Sequence, residues 1–270
     1  MLERPVVFWR PVCGELEVAE RVSYSGEVSA NAWPCAFALC EFLLQELRHR
    51  TSSELTLIEI GAGVALPSFV VAHHIVNAAD AKGNDPVQRL RCVLTDASES
   101  HLLPAKLTIE RFFARSRNVL FERRCLDWND ADCFDWSAVL PQSSESQEDQ
   151  TSNSTDLWML LSDVFYESRH FDAVCSTVRL FLQQVLQRRD FRTRVFCAFQ
   201  DRGTTRPIEM TLRQHGLRKR AVAFDIRTLL IDPGAALLPA TREALARTPG
   251  DFADVEIFEI VSSGTNNAHE

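Results

Sequence analysis

The run Leu57-Ile58-Glu59-Ile60-Gly61-Ala62-Gly63-Val64-Ala65-Leu66-Pro67 constrains this chain more than any other stretch. It supplies a branched apolar strand, two glycines within three positions, and a proline where a helix can begin. Proline is tolerated there because the first helical turn leaves its N–H groups without intrahelical partners. A strand that turns at once into a helix is half of a βαβ unit, and such units build parallel sheets with helices on both faces. Ligands in these sheets bind at the carboxyl ends of strands, at turns of this kind. The third Gly or Ala of a full dinucleotide fingerprint is missing, because Leu66 stands there, and this weakens a nicotinamide-cofactor reading. Glu59 would repel a pyrophosphate but could accept a hydrogen bond from a cationic or amine-bearing ligand. Without a ligand, the same run reads as a tight strand-to-helix turn.

The rest of the chain repeats the alternation. Apolar spacing predicts a helix over Trp33 to Arg50, ending in a basic turn that suits the negative end of the helix dipole. A strand is expected at Leu55 to Ile60, a helix from Pro67 to about Ala79, a polar loop from Asp80 to Gln88, and a strand at Leu90 to Thr95. Helix follows from about Leu103 to Arg117, then strand from Val119 to Leu126. Leu157 to Leu161 is a near-continuous apolar run, as in a central strand covered on both faces. Helix is expected from Ser168 to Arg188, strand from Arg194 to Phe199, helix from Thr205 to His215, and strands at Ala221 to Ile226 and Val255 to Val261. Leu230 to Pro249 reads as a loop carrying a short helix. The expected fold is therefore α/β, a seven-stranded mostly parallel sheet with a terminal antiparallel hairpin and helices on both faces.

One domain over residues 1–270 is the economical organisation, with residues 1–50 as an N-terminal extension and helix. Gln142 to Thr155 holds no hydrophobic residue and reads as a disordered surface insertion. A 46% hydrophobic, 24% charged composition excludes disordered, collagenous and membrane-spanning classes. The longest apolar stretch, Phe69 to Ala79, is broken by His73 and His74 and is too short to cross a bilayer. The opening Met1-Leu2-Glu3-Arg4-Pro5 has no secretory character. A net charge of −8 makes direct nucleic-acid binding a poor expectation but would speed the approach of a basic partner. Eight scattered cysteines without a Cys-x-x-Cys pair predict no metal site, and read as reduced thiols of a cytoplasmic or nuclear protein.

Two further strand ends carry acids. Asp96 closes Val93-Leu94-Thr95-Asp96, where it could take both hydroxyls of a ribose or cap the next helix. Asp163 and Tyr166 leave the buried strand together in Ser162-Asp163-Val164-Phe165-Tyr166-Glu167. There a reacting group would sit, and a helix cap with a half-buried Tyr is the alternative. Glu167 could hold a cationic acceptor or could favour the first turn of the following helix. His73 and His74 read as one packed and one exposed histidine. The basic clusters at Arg188 to Arg194 and Arg218 to Arg220 read as solvated faces. Trp9 packs on the sheet or covers a ligand, and the sequence does not decide between these.

Taken in order, these pieces resemble the seven-β-strand S-adenosylmethionine-dependent methyltransferases of the lysine-methyltransferase-like group. The resemblance is carried by Ala32-Trp33-Pro34-Cys35-Ala36, Glu59-Ile60-Gly61-Ala62-Gly63, Leu94-Thr95-Asp96, Leu126-Asp127-Trp128 and Asp163-Val164-Phe165-Tyr166. Within the group, Trp33-Pro34-Cys35-Ala36, Glu59-Ile60-Gly61-Ala62-Gly63-Val64-x-Leu66-Pro67 and Ser162 to Glu167 are most similar to the methyltransferase-like protein 23 subgroup. The similarity spans roughly Ser25 to Asp232 and implies a class I methyltransferase fold with S-adenosylmethionine as cofactor. It implies that Glu59, Gly61 and Gly63 form the cofactor loop and that Asp96 binds the ribose. Trp128 would lie near the adenine, Ser162 would touch the cofactor, and Trp33 would help enclose it. Asp163, Tyr166 and Glu167 would face the acceptor. Ala65 departs from the pattern, standing where many relatives carry a third Gly, and both polar loops look long.

The resemblance further implies a protein N-methyltransferase acting on arginine, with histone H3 as substrate. The alternatives are a lysine methyltransferase acting on a non-histone protein, and a non-catalytic module that binds a partner such as a chaperone. The chain is expected to be monomeric and to have no membrane partner. An arginine acceptor would need a carboxylate fork, expected from Asp163 and Glu167. A lysine acceptor would need desolvation against Trp33, Phe165 or Tyr166.

Overall fold

A computed structural model describes residues 7–21, 31–80, 87–141, 155–188, 191–203, 206–231 and 236–264. The chain opens with an antiparallel hairpin, β1 (Val7–Cys13) and β2 (Leu16–Arg21). Then come α1 (Pro34–Arg48), β3 (Glu54–Ile60), α2 (Leu66–Asp80), β4 (Arg89–Asp96), α3 (Leu103–Thr108) and β5 (Val119–Cys125). The short α4 (Trp136–Val139) precedes β6 (Thr155–Ser162), α5 (Phe171–Leu186) and β7 (Phe191–Gln200). The chain closes with α6 (Ile208–Gln214), β8 (Leu217–Ala221), α7 (Ile226–Ile231), α8 (Pro239–Arg247) and β9 (Val255–Ser262).

Seven of the strands form one sheet in the order β5-β4-β3-β6-β7-β9-β8. The first five are mutually parallel, and β9 runs antiparallel between β7 and β8. The architecture is therefore the expected one, a mostly parallel seven-stranded sheet with an antiparallel end and helices on both faces. The strand period of two divides each central strand between two cores. Leu55 and Leu57 of β3, Trp158 and Leu160 of β6, and Phe196 and Ala198 of β7 pack with α1 and α2. Ile58 and Ile60, Leu157, Met159 and Leu161, and Val195, Cys197 and Phe199 pack with α4, α5 and α6. Leu157 to Leu161 is buried residue by residue, because β6 has neighbours on both edges and helices on both faces.

Several boundaries differ from the sequence pattern, each for a local reason. The helix expected over Leu103 to Arg117 is α-helical only to Thr108, and continues as a π-helical turn over Ile109–Phe113. The Thr108 hydroxyl donates to Pro104 O (3.2 Å) and accepts from Ala19 N (2.9 Å), so it ties the turn to the hairpin. The strand expected at Ala221 to Ile226 forms four residues earlier, at Leu217–Ala221. Gly216, at φ 69°, ends α6 and turns the chain directly into β8. Asp225 then accepts the Arg227 N–H (2.9 Å) and opens α7. The hairpin has no counterpart in the sequence reading. Its Trp9 lies against Phe112 (6.0 Å, edge-on) and under the Arg111 guanidinium (4.2 Å).

The basic clusters are not free faces. In β8, Lys219 pairs with Glu209 (3.2 Å) and Glu256, and Arg220 with Glu259 (2.7 Å). At the start of β7, Arg192 Nε donates to Asp156 Oδ1 (2.8 Å) and Arg194 pairs with Glu259 (3.2 Å) and Glu46. Asp156, 2% exposed, also takes Arg50 Nε on Oδ2 (2.5 Å), beneath the Trp158 ring. His73 is half-buried against Cys13 and His74 is exposed, as expected. All eight cysteines are free, five of them buried, whereas Cys125 and Cys133 are exposed. Among the described residues no helix is long and apolar enough to cross a membrane. The Gln142 to Thr155 insertion lies outside the described residues apart from Thr155, which opens β6.

Candidate active site

Parallel strands bring their carboxyl ends to one rim of the sheet, and the acids singled out in the sequence sit there. β3 ends at Glu59-Ile60, β4 at Thr95-Asp96 and β6 at Leu161-Ser162, while β7 ends at Gln200. The loop after β3 holds left-handed positions at alternate residues, Gly61 (φ 63°), Gly63 (φ 50°) and Ala65 (φ 55°). The glycines take this conformation freely, whereas Ala65 carries a Cβ that strains it, by about 1 kcal/mol. The loop is laced to β4 by Ala62 N to Thr95 O (2.8 Å) and Gly63 N to Asp96 Oδ2 (2.9 Å). A Cβ on Gly61 would stand 2.8 Å from Trp128 Cζ2 and 3.1 Å from Val164 Cγ1. That position is therefore glycine for space as well as for backbone angle.

Glu59 does not face a ligand. It shares a strand face with Leu57, so it points beneath α2, where Oε2 accepts Ser68 N (3.3 Å) and Ser68 Oγ (2.5 Å). Burial lifts its carboxyl from 4.5 to about 7, against the lowering effect of the Ser68 bonds. A raised folded-state pKa means that stability is complete below about pH 4.5 and is lost as pH rises toward 7, by about 3 kcal/mol in total. Glu59→Gln keeps an acceptor for Ser68 and removes the ionisation. Its melting temperature relative to the parent should therefore climb between pH 5 and pH 8. A constant difference across that range would show that Glu59 does not titrate there.

Asp96 is 8% exposed and is bonded through both carboxylate oxygens at the rim. Besides Gly63 N it accepts Ala97 N (2.8 Å) and pairs with His101 Nδ1 (2.8 Å), both on Oδ1. That bond raises the His101 imidazole above its ordinary range, and Arg21 at the end of β2 opposes it. Trp128 begins a 3₁₀ turn behind Asp127, which accepts Asn129 N (2.9 Å). The Trp128 ring lies edge-on to His170 (6.1 Å), and its Nε1 is buried without an acceptor among the described residues. Tyr166 is half-buried, 6.0 Å from His170, and its hydroxyl is raised by burial and then by the charges of Glu167 and Asp96. Trp128, Tyr166 and His170 thus line the space beside Asp96 and the glycine loop.

Asp163 stands one residue past half-buried Ser162, in the left-handed region at φ 58°, with its N–H on Ala198 O (3.0 Å). Its carboxylate is gripped by Arg202, Nη1 to Oδ1 at 2.8 Å and Nη2 to Oδ2 at 2.6 Å. Burial raises the Asp163 carboxyl, while Arg202 and a hydrogen bond from the Cys35 thiol pull it down. Trp33, at the N-cap of α1, lies 5.6 Å from the Arg202 guanidinium. Glu167 turns away to Arg169 (2.5 Å) and His170 (3.7 Å), so Asp163 and Glu167 do not form one fork. Phe165 is 1% exposed and packed against Phe171 (5.3 Å), out of reach of an acceptor.

The rim therefore unites Asp96, the glycine loop, Trp128 and Tyr166 on one side with Trp33, Asp163 and Arg202 on the other. His101 and Arg202 escaped the sequence reading. Arg202 carried a readable signal, a charged residue just past the carboxyl end of a buried strand. His101 follows Asp96 across a polar turn and carried none. A cavity of about 320 Å³ opens elsewhere, between α5, β7 and β9, and none of the rim residues lines it.

No protein-family model and no curated protein sequence matches the chain. Among solved structures it is similar to a loganic acid methyltransferase with SAH, at 8% identity and a TM-score of 0.36, over 87% of this chain and 94% of that one. It is also similar to the magnesium protoporphyrin IX methyltransferase of Synechocystis PCC 6803 with bound SAH. That match has 15% identity and a TM-score of 0.36, over 84% of this chain and 82% of the other. At these scores neither likeness carries an argument about activity, which rests on the geometry of the rim.

Proposed function

We propose that this chain is an S-adenosylmethionine-dependent methyltransferase whose acceptor is a protein side-chain nitrogen. The observation that carries the reading is the closure of the glycine loop onto Asp96, with Gly61 stripped of side chain beneath Trp128. The residues present fit this cofactor, because Asp96 presents a carboxylate beside the glycine loop that can accept from ribose hydroxyls and suits a cationic ligand. When bound, the cofactor supplies an electrophilic methyl group on a sulfonium sulfur. Gly61 and Gly63 would allow close backbone approach, Asp96 would take the ribose hydroxyls, and Trp128 would meet the adenine. Ser162 and Trp33 would border the cofactor.

The chain's remaining task is to hold an acceptor nitrogen in line with that methyl, and positioning of this kind supplies most of the acceleration such a displacement needs. Tyr166, protonated because its hydroxyl is raised, offers a neutral wall rather than a base. The Asp163 fork supports arginine as the acceptor, since it is already shaped to a guanidinium. Histone H3 as substrate rests on the sequence resemblance alone, a cytoplasmic or nuclear location rests on the scattered free cysteines, and a monomeric state is proposed with them. Lysine is the second reading, and burial of Phe165 leaves only Trp33 and Tyr166 to desolvate it.

The test is transfer of labelled methyl groups from S-adenosylmethionine to core histones and to cell extract, followed by hydrolysis to amino acids. Methylarginine on histone H3 is the expected product. Methyllysine on another protein would move the chain to the second reading. S-adenosylhomocysteine binding without transfer would leave a non-catalytic partner-binding module, and neither binding nor transfer overturns the assignment.

A further inference from the structure

Asp163 already holds a guanidinium, and that guanidinium is the chain's own. Both carboxylate oxygens take parallel N–H bonds from Arg202, at 2.8 and 2.6 Å, and Nη2 also reaches Gln200 Oε1 at 3.2 Å. The Trp33 ring lies beside the planar head at 5.6 Å. A two-pronged carboxylate, a second acceptor and an aromatic face make up the recognition set of an arginine head group, which a compact ammonium does not match. The fork is also fixed in place. Asp163 keeps a left-handed backbone that costs a residue with a Cβ, and its N–H is tied to Ala198 O. Arg202 is less committed, for its side chain is 33% exposed against 6% for that of Asp163, and it stands past the end of β7. The next residue after Asp163, Val164, is the one that approaches Gly61, so the fork borders the glycine loop.

We propose that Trp33, Asp163 and Gln200 form a binding subsite for an alkyl-guanidinium, and that Arg202 occupies it as an internal stand-in for the arginine side chain of a partner protein. Exchange of one guanidinium for another preserves the number of charge-assisted bonds, so displacing Arg202 requires only that the end of β7 release it. Arg202 is then a specificity-determining residue. While it is seated the fork is neutralised, and a lysine ammonium, which cannot reproduce the paired bonds, gains little by displacing it. The link to methyl transfer rests on the proposed function, whereas the subsite itself does not.

The test uses the full chain without a methyl donor, and ethylguanidinium as the probe. Arg202→Ala should melt below the parent and recover on addition of ethylguanidinium. With a dissociation constant of ~1 mM, about 20 mM of the probe should raise its melting temperature by about 3 °C. The parent should not respond, n-butylammonium should not substitute, and Arg202→Ala with Asp163→Asn should lose the effect. Where the alanine variant does not fold, Arg202→Gln keeps one N–H for Asp163 and should respond in the same order. An equal response of parent and variant, an equal response to both cations, persistence in the double variant, or no response in either single variant overturns the subsite. A chain that fails to transfer methyl groups can still pass this test, and one that transfers them can still fail it.

Discussion

Asp96→Ala is expected to weaken S-adenosylhomocysteine binding at least about a hundredfold, a loss near 2.7 kcal/mol. The size follows from two tasks carried by one side chain. Its carboxylate fixes the loop through Gly63 N and the turn through Ala97 N, and it holds His101 at 2.8 Å. In the proposed complex it also accepts the ribose hydroxyls, and each hydrogen bond to a charged group is worth about 1.5–3 kcal/mol. Asp96→Asn separates the tasks, because it retains an oxygen for Gly63 N but loses the charge, and should cost about tenfold. Isothermal titration of the three proteins measures both steps. Unchanged affinity in the alanine variant would remove Asp96 from the cofactor site and take the methyl-transfer reading with it.

The second large effect lies at the opposite rim of the sheet and concerns stability. Asp156→Ala should lower the unfolding free energy by about 3–5 kcal/mol, the loss expected when one partner of a buried ion pair is removed. Arg50 is itself 8% exposed, and its Nε then loses the carboxylate beneath Trp158. Arg192→Ala makes the comparison, since the Arg192 side chain is 50% exposed and its bond to the same carboxylate should be worth less than about 1 kcal/mol. Urea unfolding of both variants gives the two values. Similar losses would mean that the carboxylate is far better hydrated than its position implies.

The sheet was legible because its strands are written in a strong code. Leu157 to Leu161 is apolar without interruption, and Glu59-Ile60-Gly61-Ala62-Gly63 marks where a strand must end. The hairpin of Val7 to Arg21 was not legible, because Arg10, Glu17 and Glu20 interrupt its alternation. The structure resolves that conflict with pairs, Arg10 Nε donating to Glu20 at 2.8 Å and Glu17 meeting Arg111 at 2.6 Å. β8 was placed too late in the chain for a related reason. Arg218-Lys219-Arg220 reads as a solvated run until Glu209, Glu256 and Glu259 are seen to face it. In the site, residue type and place could be read from the chain but partner choice could not. Glu59 is satisfied by Ser68 nine residues on, and Asp163 by Arg202 thirty-nine residues on. No spacing rule predicts which partner a buried carboxylate will take.

The charged outer strands have a bearing on how this protein behaves in company. A sheet ends in two rows of unpaired peptide groups, and either row can template another chain. Here one border strand carries Glu122, Arg123 and Arg124 and the other Arg218, Lys219 and Arg220, while the unbroken apolar run is confined to the middle strand. Adding a further strand at either border would set it beside charged side chains, of which Glu122, Arg123, Arg124, Lys219 and Arg220 are already committed to ion pairs. The sticky part of the sequence is thus kept in the interior and both open borders are guarded, so strand-to-strand aggregation is opposed by the same layout that presents the strand ends to a ligand.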